Sequence, residues 1–316
     1  MGTTEFEMTY QQKNEQKPAL KDWIVALRPW SFPASSMPAL VTFIYVFFLY
    51  KHHTVIQADW LLGALAVIGA VIFQISGNLI SDYFDYKQGV DREDTFGSSR
   101  LLVNKTFTPK TILYLGLGFL FTGIIIGLFL YYKTSWPLLI IGGLGVISAF
   151  FYYKFKYVAL GDLLIFIVYG PLITLGTHYT MTSVFDWKMI ALSIPIGCIT
   201  VNILHANNTR DIAHDKRANI RTLAMTLGVK SSIILYKSLI VIAYTSIVAM
   251  VIVGFLHWIA LGVFISLPAA INNCKIISKA SVENPSEIID LDEKTAKLQL
   301  MFSTLFSVLI FISSWV

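Results

Sequence analysis

Two stretches of this sequence gather oxygen-bearing side chains at helical spacing. The first runs from Gly77-Asn-Leu-Ile-Ser-Asp-Tyr-Phe-Asp85 through Gly89 to Asp91, and on through Arg92 to Arg100. On a helix, Asn78, Ser81 and Asp85 share one face at spacings of three and four, with Asp82 beside them. The second runs from Asn207 through Arg210 and Asp211 to His214, Asp215, Lys216 and Arg217. Asn207, Asp211 and Asp215, spaced by four, again share a face, which is expected to extend the apolar helix before it. Carboxylates and amides on one face suit magnesium, a hard cation that takes oxygen ligands and shares its shell with substrate phosphates. Solvated, charged helix ends are the plain alternative for one such segment alone. Two matching segments favour the metal, because ionisable groups at a membrane boundary are costly unless used.

The elements that must carry these segments are membrane helices. Of 316 residues, 55% are apolar and 14% charged, against about 25% charged in soluble domains. Apolar runs at roughly 30–50, 60–80, 111–132, 136–153, 162–182, 189–206, 232–254, 256–274 and 298–316 predict nine spans, since about 20 residues cross a bilayer. Pro29, Pro33 and Pro38 are expected to start and kink the first. All Lys and Arg except Lys51, Lys133, Lys188 and Lys237 fall on one side of the alternating connections. That places the N-terminus in the cytoplasm and the C-terminus opposite. The two polar segments are four helices apart, so two related four-helix halves plus a ninth helix are expected, with a site between the halves. Residues 1–27 read as a polar cytoplasmic tail and 28–316 as one transmembrane domain. No cleaved signal peptide is expected, nor myristoylation with Phe6 at the sixth position. The net charge of +5 sits on one membrane face and does not suggest nucleic acid; two cysteines make neither a zinc cage nor a disulfide framework.

The paired acidic segments resemble the two aspartate-rich motifs of the UbiA superfamily of intramembrane prenyltransferases. Asp82-Tyr-Phe-Asp85 with Gly89 and Asp91, Gly161-Asp162, Asn207-Asn-Thr-Arg-Asp211 through Arg221-Thr-Leu-Ala224, and the opening Arg28-Pro-Trp-Ser-Phe-Pro33 are most similar to one branch of it. That branch includes 1,4-dihydroxy-2-naphthoate polyprenyltransferase and the vertebrate menaquinone-4 enzyme. The resemblance covers residues 28 to about 230; the last third matches in hydropathy alone. It implies an all-α membrane protein with nine helices around a central cavity, in a cell membrane. It also implies transfer of a polyprenyl chain from an allylic diphosphate to an aromatic acceptor, 1,4-dihydroxy-2-naphthoate, with decarboxylation to demethylmenaquinone. Asp85, Asp211 and Asp215 would then hold Mg2+ on the diphosphate with Asp82 assisting, and Asn78, Ser81 and Asn207 complete the expected metal set.

The departing diphosphate must be neutralised by metal ions and by Lys or Arg. Lys87, Arg92, Arg100, Arg210, Lys216 and Arg221 are placed to do so; Arg210 and Arg221 read equally as ordinary positive-inside charges, and Lys216 more so. Lys154, Asp162 and Arg210 join Asp82 in the expected catalytic set. Lys154 lies among Tyr152, Tyr153 and Tyr157, which line an acceptor side or form an interfacial aromatic belt. Asp162 is either a helix N-terminal dipole partner or the acid that the resemblance puts there. Two departures from the family stand out. Ser81 occupies the place of the family's Asn in Asn-Asp-x-x-Asp, and Gly97-Ser-Ser-Arg100 stands where the branch has Gly-Pro. Other acceptors within the superfamily remain open: 4-hydroxybenzoate, haem, chlorophyllide or a sugar phosphate. A transporter would instead carry its ionisable groups near the bilayer midplane.

Overall fold

The computed structural model describes residues 18–55, 57–95 and 100–316. Residues 1–17 of the polar tail, residue 56 and residues 96–99, which include Gly97-Ser-Ser ahead of Arg100, lie outside the described residues. A short helix α1 (Leu20–Leu27) comes first. Then follow α2 (Pro33–Lys51), α3 (Trp60–Gln88), α4 (Pro109–Lys133), α5 (Pro137–Tyr157), α6 (Gly161–Thr182) and α7 (Lys188–Arg210). After the six-residue α8 (Ile212–Arg217) come α9 (Leu223–Ile252), α10 (Trp258–Ile277) and α11 (Pro285–Ser313). Among the described residues nine of these helices are long and apolar enough to cross a membrane. There is no strand among them, only an isolated bridge between Val158 and Arg221. The number of spans matches the hydropathy reading.

Local chemistry explains where helices start. The Asp59 carboxylate accepts from the Leu62 N–H at 2.9 Å ahead of α3. Thr108 Oγ1 accepts from the Thr111 N–H at 3.2 Å, with Pro109 at the first helical position of α4, where a missing N–H costs nothing. Pro33 likewise begins α2, and Pro38 lies inside it.

The ends differ from the hydropathy reading in an informative way. Helix α3 runs to Gln88, eight residues beyond the expected 80, so Asn78, Ser81, Asp82 and Asp85 do lie on one continuous helix. Helix α11 begins at Pro285 rather than 298. Hydropathy marks only lipid-embedded turns, and polar turns continue past them. The opposite holds at α7. The expected helical face through Asn207, Asp211 and Asp215 is broken, because α7 stops at Arg210 and Asp211 has φ −93°, ψ 9°. Adjacent helical side chains do not face each other, and the Arg210 guanidinium grips the Asp211 carboxylate at 2.8 Å. The break lets that pair form.

The most buried span, α7, packs against α9 and α11. Ile196, Ile199, Tyr236, Phe302 and Phe306 fill that core. Lipid offers no hydrophobic drive between helices, so buried polar contacts and close packing matter more. Tyr236 Oη and Thr295 Oγ1 are 2.6 Å apart, and Asn202 Nδ2 donates to Tyr236 O at 2.9 Å. Helices α6 and α7 approach closely: a Cβ at Gly197 would stand 3.3 Å from Gly170 Cα. Gly170 belongs to a π-helical turn, Val168–Leu172, that contains Pro171. On the other side α3 packs with α4 and α5, and a cavity remains between α3, α4, α5, α6 and α7.

Candidate active site

The cavity has a volume of about 560 Å³, within the usual range for ligand sites. Its two ends differ chemically. One end lies where α3 and α7 terminate and is lined by Asp82, Asp85, Asp91, Asp211, Asp215 and Asp292, together with Arg28, Lys156, Asn78, Ser81, Asn207 and His214. The rest is mainly apolar, walled by Phe73, Ile124, Val146, Ile165, Leu172 and Ile203 and by glycines of α3, α4 and α5, with the hydroxyls of Ser148, Thr177, Thr180 and Thr200 among them. A Cβ added at Gly127, Gly142, Gly143 or Gly145 would meet nothing within 4 Å.

On α3, Asp82, Asp85 and Ser81 are buried. Arg28 donates Nη2 to Asp82 Oδ1. The segment after Arg28 is tied to the same helix, since Gln74 Nε2 donates to Ser31 O at 2.7 Å and Asn78 Nδ2 to Ser31 Oγ at 3.2 Å. Asp85 accepts from three donors: Tyr157 Oη at 2.6 Å, Lys156 Nζ at 3.1 Å and Ser81 Oγ at 3.2 Å. Gly89, at φ +71°, closes α3 in a conformation that a side chain would strain. The Val90 and Asp91 N–H groups fold back onto Asp85 O at 2.8 and 3.3 Å, and Asp91 joins the cavity wall. Burial, and then the Asp85 and Asp82 charges, push the Asp91 carboxyl up to about 6.

At the end of α7, Arg210 is 4% exposed and makes a fork on Asp211, Nε at 2.8 Å and Nη2 at 2.9 Å. Nη2 also donates to Asn207 Oδ1 at 2.7 Å. Asp215, on α8, is buried, and its Oδ2 has no hydrogen-bond partner. Burial pushes its carboxyl up to about 7, with the charges of Asp211 and Asp85 adding to the shift against Lys156. The connections after α3 and α7 converge over this end. Arg217 Nη1 pairs with Asp94 Oδ2 at 2.7 Å, and Val90 packs with Ala218 and Ile220.

Several side chains expected from the sequence stand elsewhere. Lys154 is exposed, over the Phe151 ring at 5.1 Å. Two residues along a helix turn by about 200°, so it is Lys156 that reaches the cavity. Lys87 is exposed beside the Tyr83 ring at 6.0 Å. Arg92 reaches Asp94 at 3.4 Å, Arg100 donates to Glu93 O at 2.8 Å, and Arg221 donates to Thr226 Oγ1 at 3.1 Å. Lys216 is exposed. None of these six lines the cavity. Nor does Asp162, which accepts from His205 Nδ1 at 2.6 Å and Asn208 Nδ2 at 3.1 Å and locks the start of α6 to α7. Of the tyrosines, Tyr152 lines the cavity, Tyr153 stacks on Phe84 at 3.7 Å, and Tyr157 holds Asp85.

The donors absent from the expected set are Arg28, Lys156, Tyr157, Asp91, His214 and Asp292. Arg28, Lys156 and Tyr157 carried a sequence signal of position, each within about one turn of an apolar run, whereas Asp91, His214 and Asp292 lie farther from one. Among the described residues no three His, Cys, Asp or Glu side chains stand together as a ready metal cluster. Asp82 and Asp85 are turned to Arg28 and Lys156, and Asp211 to Arg210. The donor set nevertheless fits a hard divalent cation, with six carboxylates against Arg28 and Lys156 along the wall and the partnerless Asp215 Oδ2 among them.

Residues 39–284 match the family model described as the UbiA prenyltransferase family. The chain is 34% identical over 260 residues to "UbiA prenyltransferase domain-containing protein 1" of Rattus norvegicus, covering 77% of this chain and 75% of that one. It is 29% identical over 290 residues to "1,4-dihydroxy-2-naphthoate octaprenyltransferase" of Bacillus subtilis, covering 90% of this chain and 91% of that one. The fold matches a UbiA homolog from Archaeoglobus fulgidus, solved bound to DMAPP and Mg2+, with a TM-score of 0.61 at 13% identity, covering 91% of this chain and 99% of that one.

Proposed function

Since this chain belongs to the UbiA prenyltransferase family, we propose that it transfers a polyprenyl group from an allylic diphosphate to 1,4-dihydroxy-2-naphthoate, with loss of the carboxylate, to give demethylmenaquinone. The observation that carries this reading is the division of one cavity into an acidic end and a long apolar groove. A prenyl diphosphate has the same division. The naphthoate acceptor follows the Bacillus subtilis relative, whose match runs through nine tenths of both chains. The protein would lie in a cell membrane with its N-terminus and the acidic end at the cytoplasmic face, as the distribution of Lys and Arg argues.

In this reading Asp85, Asp211 and Asp215, with Asn207 and Asp82 beside them, hold Mg2+. The metal, when bound, neutralises charge on the departing diphosphate. Arg28 and Lys156 point their cations into the same end and add to that neutralisation, a large term in a site that excludes water. The C–O bond of the allylic diphosphate breaks and diphosphate leaves with its electron pair. The allylic carbon then bonds to an electron-rich ring carbon of the acceptor, and the carboxylate leaves as carbon dioxide with its C–C pair returned to the ring. The apolar groove holds the chain extended and keeps water from the cationic carbon. Tyr152 and Tyr169 stand on the cavity wall, where an aromatic ring can stabilise an allylic cation.

The test uses membranes carrying the full chain, Mg2+, a labelled prenyl diphosphate and each acceptor in turn. Label should enter a naphthoquinol product as carbon dioxide is released. Consumption of 4-hydroxybenzoate in place of the naphthoate would overturn the acceptor, and no transfer to any acceptor would overturn the reading.

A further inference from the structure

Arg210 is read from the sequence as a group that touches the leaving diphosphate, and its surroundings leave it no such freedom. Its five N–H groups are all committed. Nε and Nη2 grip Asp211 at 2.8 and 2.9 Å, Nη2 also reaches Asn207 Oδ1 at 2.7 Å, and Nη1 donates to Ile289 O and Asp292 Oδ2, both at 3.0 Å. The guanidinium is 4% exposed and is no part of the cavity wall. Asp292 is part of it. It sits in the first turn of the long helical part of α11, 82 residues away in sequence.

We propose that Asp292 is a positioning residue for Asp211, acting through Arg210; the inference rests on the metal-dependent reading above. A cation gripping Asp211 alone would cancel its charge and remove it as a ligand. Asp292 shares that cation, so the trio of Asp211, Arg210 and Asp292 keeps one net negative charge facing the cavity. The fork meanwhile fixes the direction of the Asp211 carboxylate, as a planar bidentate donor does. The backbone carbonyl of Ile289 fixes the other edge of the guanidinium. In this way the ninth membrane helix, which carries neither acidic motif, sets the metal affinity of the second one.

The test measures Mn2+ binding to the purified full chain in detergent, by loss of the free-ion electron spin resonance signal, alongside Mg2+ titrations of prenyl transfer. Asp292→Asn should raise the Mn2+ dissociation constant and the Mg2+ needed for half-maximal activity by roughly 10-fold, the size of one charge-assisted contact. The KM for the acceptor should stay unchanged, and Asp292→Glu should recover most of the loss. Arg210→Lys, which keeps the charge and loses the fork, should weaken Mn2+ binding in the same direction, and it serves if the Asn variant does not fold. Wild-type Mn2+ affinity in Asp292→Asn or in Arg210→Lys would overturn the proposal. Normal Mn2+ binding by the wild type and its loss in the variants, with no prenyl transfer by any of them, would overturn the enzymatic reading and leave the positioning role standing. A wild type that binds no Mn2+ would overturn both.

Discussion

The two acidic segments differ in how their charge is held. At the end of α3, Asp82 is turned to Arg28, and Asp85 takes three donors from Lys156, Tyr157 and Ser81. All lie on or against one unbroken helix. At the end of α7 the helix breaks, Arg210 is shared between Asp211 and Asp292, and Asp215 keeps an oxygen with no partner. In the first segment Asp82 and Asp85 each meet a cation on a stiff helix, and Asp91 adds one carboxyl pushed up to about 6. The second carries the surplus negative charge. In the proposed metal-dependent reading, a cation would meet its strongest attraction at the second segment and would have to displace Lys156 or Tyr157 to reach Asp85. Once displaced, the Lys156 ammonium is free to face a phosphate.

That contrast breaks most directly when one carboxylate is removed from each side. Asp211→Ala and Asp85→Ala should each lower prenyl transfer by more than about 100-fold, because losing a buried charged partner costs several kcal/mol. The difference lies in binding: Mn2+ binding should be lost in Asp211→Ala and only weakened in Asp85→Ala. Equal loss in both would mean that the two segments act as one.

The next effect separates the two lysines of α5. Lys156→Met should lower turnover by about 10–100-fold, the range seen when a donor to developing charge is removed, while Lys154→Met should change it by less than about 2-fold. It should also tighten Mn2+ binding, since the competitor for Asp85 is gone. Weaker Mn2+ binding in Lys156→Met would show that the lysine helps the metal rather than competing with it.

A smaller effect follows from pH. The Asp91 and Asp215 carboxyls, pushed up to about 6 and about 7, are protonated in the folded, metal-free chain at pH 5, where an unfolded Asp with a pKa of about 3.9 is not. The folded state therefore binds more protons than the unfolded one between about pH 4 and these values, so metal-free stability falls over that range and levels off once pH passes 6 and 7. Metal binding follows the opposite course and tightens over the same window as the ligands ionise. Thermal unfolding of the metal-free protein and Mn2+ binding, both from pH 5 to 8, should slope in opposite directions. Parallel slopes would show that Asp91 and Asp215 do not hold extra protons in the folded chain.

The number of spans and the positions of the two acidic segments were legible in the sequence, because long apolar runs and spacings of three and four are properties of single helices. The cations that meet those acids were not. Arg28 reaches Asp82 through a turn at φ +52° between α1 and the Pro29–Ser31 turn, and Asp292 reaches Arg210 from a helix 82 residues on. Lys87, Arg92, Arg100, Lys216 and Arg221 share the right side of the membrane with the site, yet side is all that charge counting resolves. Lys154 and Lys156 show the same limit within one helix. Both lie at the correct depth, and only packing of α5 against α3 decides which one turns inward.

Ser81 carries the smallest expected effect. Its hydroxyl donates to Asp85 Oδ2 at 3.2 Å, and the residue is 7% exposed. In its present setting it is another donor that satisfies Asp85, alongside Lys156 and Tyr157. The nearby amide of Asn78 spends its nitrogen on Ser31 Oγ, leaving its carbonyl oxygen as the atom for a cation. Ser81→Asn replaces a hydroxyl with an amide that both donates to Asp85 and offers a carbonyl ligand, without adding charge. The Mg2+ needed for half-maximal activity should fall by roughly 2–5-fold, less than one full charge-assisted contact. Asn78→Ala should raise it. If Ser81→Asn leaves the Mg2+ dependence unchanged while Asn78→Ala raises it strongly, Asn78 already supplies the amide oxygen that the family's motif places one turn later, and Ser81 serves only to hold Asp85. If neither variant moves it, the first segment contributes carboxylates alone, and the difference between the two ends of the site narrows to Asp85 against Asp211 and Asp215.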